Sequence, residues 1–148
     1  MRPFIAIAAG VLVAAAVWYV VAPPRDAPAY RDRAAESTQT LLSQVRTARL
    51  WARALEEGRT LGPTAAVGID DSEKQAETAT SKFTAYEPPR GTDDVRTRFT
   101  TLASAVTDEL GALRIAAQRR EWEEVERAQP RLERLAAELE DFRRSLRR

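Results

Sequence analysis

The sequence contains no cysteine and no histidine. With them go the Ser-His-Asp triad, the thiolate nucleophile, the disulfide, every imidazole or thiolate metal site, the histidine pH switch and lipid attachment through an N-terminal cysteine. Lysine is nearly absent as well, with only Lys74 and Lys82 in the chain. Catalysis would have to run on carboxylates, hydroxyls and these two amines, as in the carboxylate pairs of glycoside hydrolysis. No nucleophile beside a base, no glycine-rich phosphate loop and no metal-ligand spacing is present, so the chain reads as non-enzymatic, with no cofactor and no metal. Aromatic residues are scarce: 4 Phe, 3 Trp and 3 Tyr in 148 residues predict a thin core.

An excess of one charge sign is missing too. Arg2 is the only charged side chain before Arg25, so residues 25–148 balance 22 cations against 22 carboxylates. Interspersed signs give no field that would gather polyanions, which argues against nucleic acid as a partner. Arginine supplies nearly all the positive charge and alanine is abundant, a bias typical of GC-rich bacterial genomes.

The one long hydrophobic run lies at the start. From Pro3 to Pro24 there are 22 residues without a charge. A helix rising about 1.5 Å per residue crosses a hydrocarbon core of about 30 Å in about 20 residues, so residues 1–24 are predicted to form a single membrane-spanning signal-anchor. Trp18 and Tyr19 fall where amphipathic rings favour the headgroup layer. The competing reading is a cleaved signal peptide. The apolar stretch is longer than such peptides use, and Pro23 blocks cleavage after Ala22, although Ala27-Pro28-Ala29 has the small-x-small form of a later site. Ala6, Gly10 and Ala14 recur every four residues, a spacing that allows close backbone approach and self-association of the span. Arg2 and the amino terminus oppose Arg25, Arg31 and Arg33 in the positive-inside balance. Because long domains follow a first apolar segment across the membrane largely regardless of charge, the soluble part is expected outside the cytoplasm.

Behind the anchor the patterning is helical throughout. Ala34, Thr38, Leu41, Val45, Ala48, Ala52 and Leu55 follow four-three spacing in a first helix over about 26–57, long enough that its seam should outrun its neighbour and pair with another subunit. Gly62, Pro63 and Gly68 suggest a loop over 58–70. Asp70, followed three residues on by Glu73, has the form of a capping box opening a second helix over 71–87, with Ala76, Ala79, Phe83 and Tyr86 as its stripe. A third helix over 93–119 starts on the acidic pair Asp93-Asp94 and carries Val95, Phe99, Leu102, Val106, Leu110, Leu113 and Ala117. A fourth over 121–147 carries Trp122, Val125, Gln129, Leu132, Leu135, Leu139, Phe142 and Leu146, with Pro130 either kinking it or opening it after a separate short helix. No segment alternates like a half-buried strand. The expected fold is all-α, an antiparallel three- or four-helix bundle with coiled-coil-like seams over 25–148.

Candidate sites are few. Asp70-Asp71 and Asp93-Asp94 resemble hard-cation ligands but are better explained as helix caps. Trp51 and Trp122 are candidates to line a pocket between helices. The basic run Arg143, Arg144, Arg147 and Arg148 complements a helix dipole, and in an up-down bundle it would return to the membrane, where each residue gains about 1 kcal/mol from anionic headgroups. The leading expectation is a single-pass membrane protein working by protein contact, as an envelope scaffold or accessory subunit with a protein partner or as a homo-oligomer. The alternative is an extracytoplasmic helical sensor or ligand-binding domain that signals through a separate partner.

Overall fold

Asp26 opens the first helix by accepting a hydrogen bond on its carboxylate from the amide of Ala29, at 2.9 Å, with Pro28 tolerated in the first turn. The computed structural model describes residues 26–147. The predicted span over 1–24, with Trp18, Tyr19, Ala6, Gly10 and Ala14, therefore lies outside the described residues, as does Arg148. Among the described residues no helix is long and apolar enough to cross a membrane.

Four α-helices and no strands make up the described chain: α1 (Ala27–Glu56), α2 (Gly62–Thr84), α3 (Asp93–Arg119) and α4 (Trp122–Leu146). Sequential neighbours run antiparallel. Trp51 faces Gly68 while Tyr30 meets Phe83 across α1 and α2, and Gly62 lies by Ala117 while Phe83 meets Phe99 across α2 and α3. Glu109 pairs with Arg131, and Arg98 lies over Phe142, across α3 and α4. Arg46 pairs with Glu140 and Arg49 with Glu133 across α4 and α1, closing the ring. With an even number of helices, the end of α4 returns to the end of the bundle where Asp26 begins α1.

The seams that hold this bundle are those of the apolar patterns. All seven four-three positions of α1 are buried, joined by Tyr30 and Leu42, and all seven positions of the α3 stripe are buried together with Ala103 and Ala116. Only α4 shifts its face: Ala128 and Ala136 are buried where the pattern had offered Gln129 and Leu135, which are half-exposed. Alanine at facing positions lets the axes approach closely, and the larger volume comes from a cluster at one end. There Tyr30 packs on Phe83 with ring centroids 4.9 Å apart, and Phe83 packs on Phe99 at 4.3 Å.

Several expectations are corrected. The 58–70 loop contracts, because α2 already starts at Gly62. Pro63 sits in the first turn, where its missing N–H costs nothing, and Gly68 is a packing glycine inside the helix: a Cβ there would fall into the Trp51 indole. Asp70 and Asp71 are consequently mid-helix residues and cap nothing. With α2 extended, the seven seam positions of α1 are buried within the bundle rather than left exposed beyond its neighbour. Trp122 is 48% exposed at the start of α4, so it does not share a core pocket with Trp51, which packs against Gly68. Pro130 is an exposed residue inside one continuous helix rather than the start of a second.

The connection between α2 and α3 is held by one guanidinium. Arg96 donates to the carbonyls of Tyr86, at 2.8 Å, and Thr84, at 3.1 Å, satisfying oxygens that the end of α2 leaves without partners. Its charge also faces Tyr30. Burial pushes the Tyr30 phenol up from its ordinary value, against a lowering pull from Arg96. A phenol that holds its proton more tightly folded than unfolded contributes stability that is complete below about pH 10 and lost as pH rises beyond it. The Tyr30 hydroxyl is buried and makes no hydrogen bond among the described residues, so Tyr30→Phe should cost little near neutrality. As pH rises above about 10, denaturant titrations should show the parent losing more stability than Tyr30→Phe. Equal losses would remove Tyr30 as the source.

Candidate functional site

Charged side chains close three of the four seams of the bundle. Between α1 and α4 stand the pairs Arg46–Glu140 and Arg49–Glu133, with Gln129 donating to the Arg49 carbonyl at 3.4 Å. Between α2 and α3, Arg114 reaches Glu73 at 2.7 Å and Asp70 at 3.7 Å. Between α3 and α4, Arg131 reaches Glu109 at 2.7 Å. The α1–α2 seam differs, since no ion pair crosses it among the described residues.

That seam holds a groove of about 860 Å³, against 290, 280 and 380 Å³ for three hollows elsewhere on the bundle. Its width follows from short side chains. Ser37 and Thr40 on α1 and Thr78 and Ala79 on α2 line its middle, and the longer side chains on its rim form no ion pair across it among the described residues. Phe83 and Tyr86 close the floor at one end, where Arg33 lies over the Tyr86 ring at 5.7 Å. Both lysines of the protein stand on the rim, eight residues and so about 12 Å apart along α2.

The electrostatics of the rim are one-sided. Arg33, Lys74 and Lys82 line the groove with a single carboxylate, Glu36, which lies 3.6 Å from Arg33. The Lys74 amine is bonded to Asp70 one turn back, which raises its proton affinity and lowers that of the Asp70 carboxyl, so both stay charged. Lys82 has no ion-pair partner among the described residues. The rim therefore presents fixed positive charge above a short-chained, partly aromatic floor. Such a surface can hold an anionic, partly apolar body. No group of three or more carboxylates that could hold a metal ion is gathered among the described residues.

The residues singled out from sequence are scattered relative to this groove. Asp70 is tied up in the pairs with Lys74 and Arg114, Asp71 is exposed on α2, and Asp93 and Asp94 occupy the first turn of α3. Arg143, Arg144 and Arg147 lie at the end of α4, Arg144 paired with Asp141. A sequence signal for the groove did exist: Ser37, Thr40, Gln44 and Thr47 form a charge-free, half-buried stripe on α1 in a chain that is 30% charged. Comparison with protein families, with curated proteins and with solved structures gives no match to this chain.

Proposed function

We propose that this protein is a membrane-tethered, non-enzymatic adaptor: residues 1–24 anchor it and the helical bundle, displayed outside the cytoplasm, works by contact with another protein. The open α1–α2 seam carries the reading. In a bundle whose other seams are each crossed by a guanidinium–carboxylate pair, this face is left wide, lined by three cations to one carboxylate, and uncrossed by any ion pair among the described residues. The anchor is supported by the uncharged run from Pro3 to Pro24, of a length that spans a bilayer at about 1.5 Å per residue. The up-down order adds that Arg143, Arg144 and Arg147 end α4 on the side of the bundle where Asp26 begins. A bundle tethered through the residues before Asp26 would hold those arginines toward anionic headgroups.

The test uses the full chain in its own membranes. Thr64→Cys, exposed in the first turn of α2 of a chain without native cysteine, is treated with a membrane-impermeant maleimide in intact and lysed cells. In parallel, a photo-crosslinking residue is placed at Thr78 in the groove and at Ala137, exposed on α4. The reading expects a chain that resists alkaline extraction, labelling before lysis, and a protein adduct. Release from the membrane would overturn the anchor, labelling only after lysis would overturn the topology, and no protein adduct at either position would overturn the contact role.

A further inference from the structure

We propose that the α1–α2 groove is the seat of one amphipathic helix with acidic flanks, supplied by a partner protein. This rests on the protein-contact reading and names the chemistry of the contact. A fifth helix laid between α1 and α2 would meet their short side chains along one apolar stripe, as other helix-in-groove complexes do. The groove offers about 12 Å between Lys74 and Lys82, two to three turns of a helix, with the aromatic floor of Phe83 and Tyr86 at one end for an apolar anchor. Glutamates flanking that stripe would face Lys82 on the α2 rim and Arg33 on the α1 rim. The occupant supplies the cross-seam pairing absent here among the described residues, for an ion pair crosses each of the other three seams.

Charge also sets this occupant apart from a second copy of the chain. Two-fold pairing of this face with itself would bring Arg33, Lys74 and Lys82 toward the same three cations, with one Glu36 from each side to offset them. Lys82 is free of any ion pair among the described residues, so its charge is available without breaking a contact of the fold.

The experiment uses the full chain in nanodiscs of zwitterionic lipid and two fluorescent helical peptides with identical leucine stripes, one flanked by glutamate and one by lysine. The acidic peptide should bind about tenfold or more tightly than the basic one, with the difference shrinking as salt rises. Lys82→Glu, and Lys74→Gln combined with it, should remove that preference while helicity stays that of the parent. Thr78→Trp, which fills the groove, should weaken the acidic peptide by a similar factor. Equal affinity for the two peptides, no binding of either, or an acidic preference unmoved by Lys82→Glu would overturn the proposal. In membranes, a protein adduct at Ala137 but none at Thr78 would overturn this groove while the contact role stands. An adduct from Thr78 to a second copy, to lipid or to a basic segment would likewise sink it, whereas adduct formation at neither position removes the contact role itself.

Discussion

Replacing Phe83 with alanine is expected to destabilise the bundle by about 4 kcal/mol, the largest effect of any single truncation in this core. Phe83 is 1% exposed and stands between two other rings, Tyr30 at 4.9 Å and Phe99 at 4.3 Å, so its removal takes away contacts on both faces at once. Its neighbours along the α2 stripe are Ala76 and Ala79, which are too small to close over the space left. Both the transfer cost and the cavity cost therefore apply, together with about 0.5–1.5 kcal/mol for each lost aromatic pairing. Against a total of about 5–15 kcal/mol for a domain, that is a substantial fraction, equivalent to a fall in Tm of roughly 15 °C. Thermal melting of the parent and the variant measures it, with Tyr86→Ala as the comparison. Tyr86 is only half-buried and packs from outside the cluster, so its truncation should cost under about 1.5 kcal/mol. If the two variants lose the same amount, the three-ring cluster is not the centre of the core.

Phe83 also shows how fold and site share residues, because it forms part of the floor of the groove it helps to hold together. The fold was legible at this point: period 3.6 in α1 and α3, and at Ala76, Ala79 and Phe83 of α2, put the right residues inside, although α2 ends at Thr84 and leaves Tyr86 half-buried beyond it, and the acidic first turn at Asp93-Asp94 marked the start of α3. What sequence could not decide was the sense of individual punctuating residues. Gly62 and Pro63 break a helix in the interior and open one in a first turn, and only the presence of Trp51 opposite makes Gly68 a contact rather than a hinge. Asp70 and Glu73, spaced as a capping box, are spaced equally well to reach one arginine on a neighbouring helix, which is what Arg114 does with them. The groove was harder still. It arises from the pairing of residues about forty apart, and its lysines draw no notice until the topology places both on one rim with Arg33.

Gly68→Leu should cost about 3 kcal/mol, and the reason can be isolated by changing Trp51. An ordinary helix interior gains about 1 kcal/mol when glycine is replaced by alanine, because the glycine backbone has more freedom to lose. At Gly68 the added Cβ falls within the Trp51 indole, and a tight contact between α2 and α3, where a Cβ on Gly62 would lie 2.5 Å from the Ala117 carbonyl oxygen, keeps α2 from moving away. Gly68→Ala is thus a contest between about 1 kcal/mol of propensity and an overpacking cost of about 1–3 kcal/mol, and leucine adds volume to the losing side. In a Trp51→Ala background the obstruction is gone. Gly68→Ala should there stabilise by up to about 1 kcal/mol, and Gly68→Leu should cost little or refill the space the indole left. Urea titration of the four proteins in the cycle gives a coupling energy between the two positions, expected at about 2 kcal/mol. A coupling near zero would mean that Gly68 is required by the backbone of α2 and not by the ring packed on it.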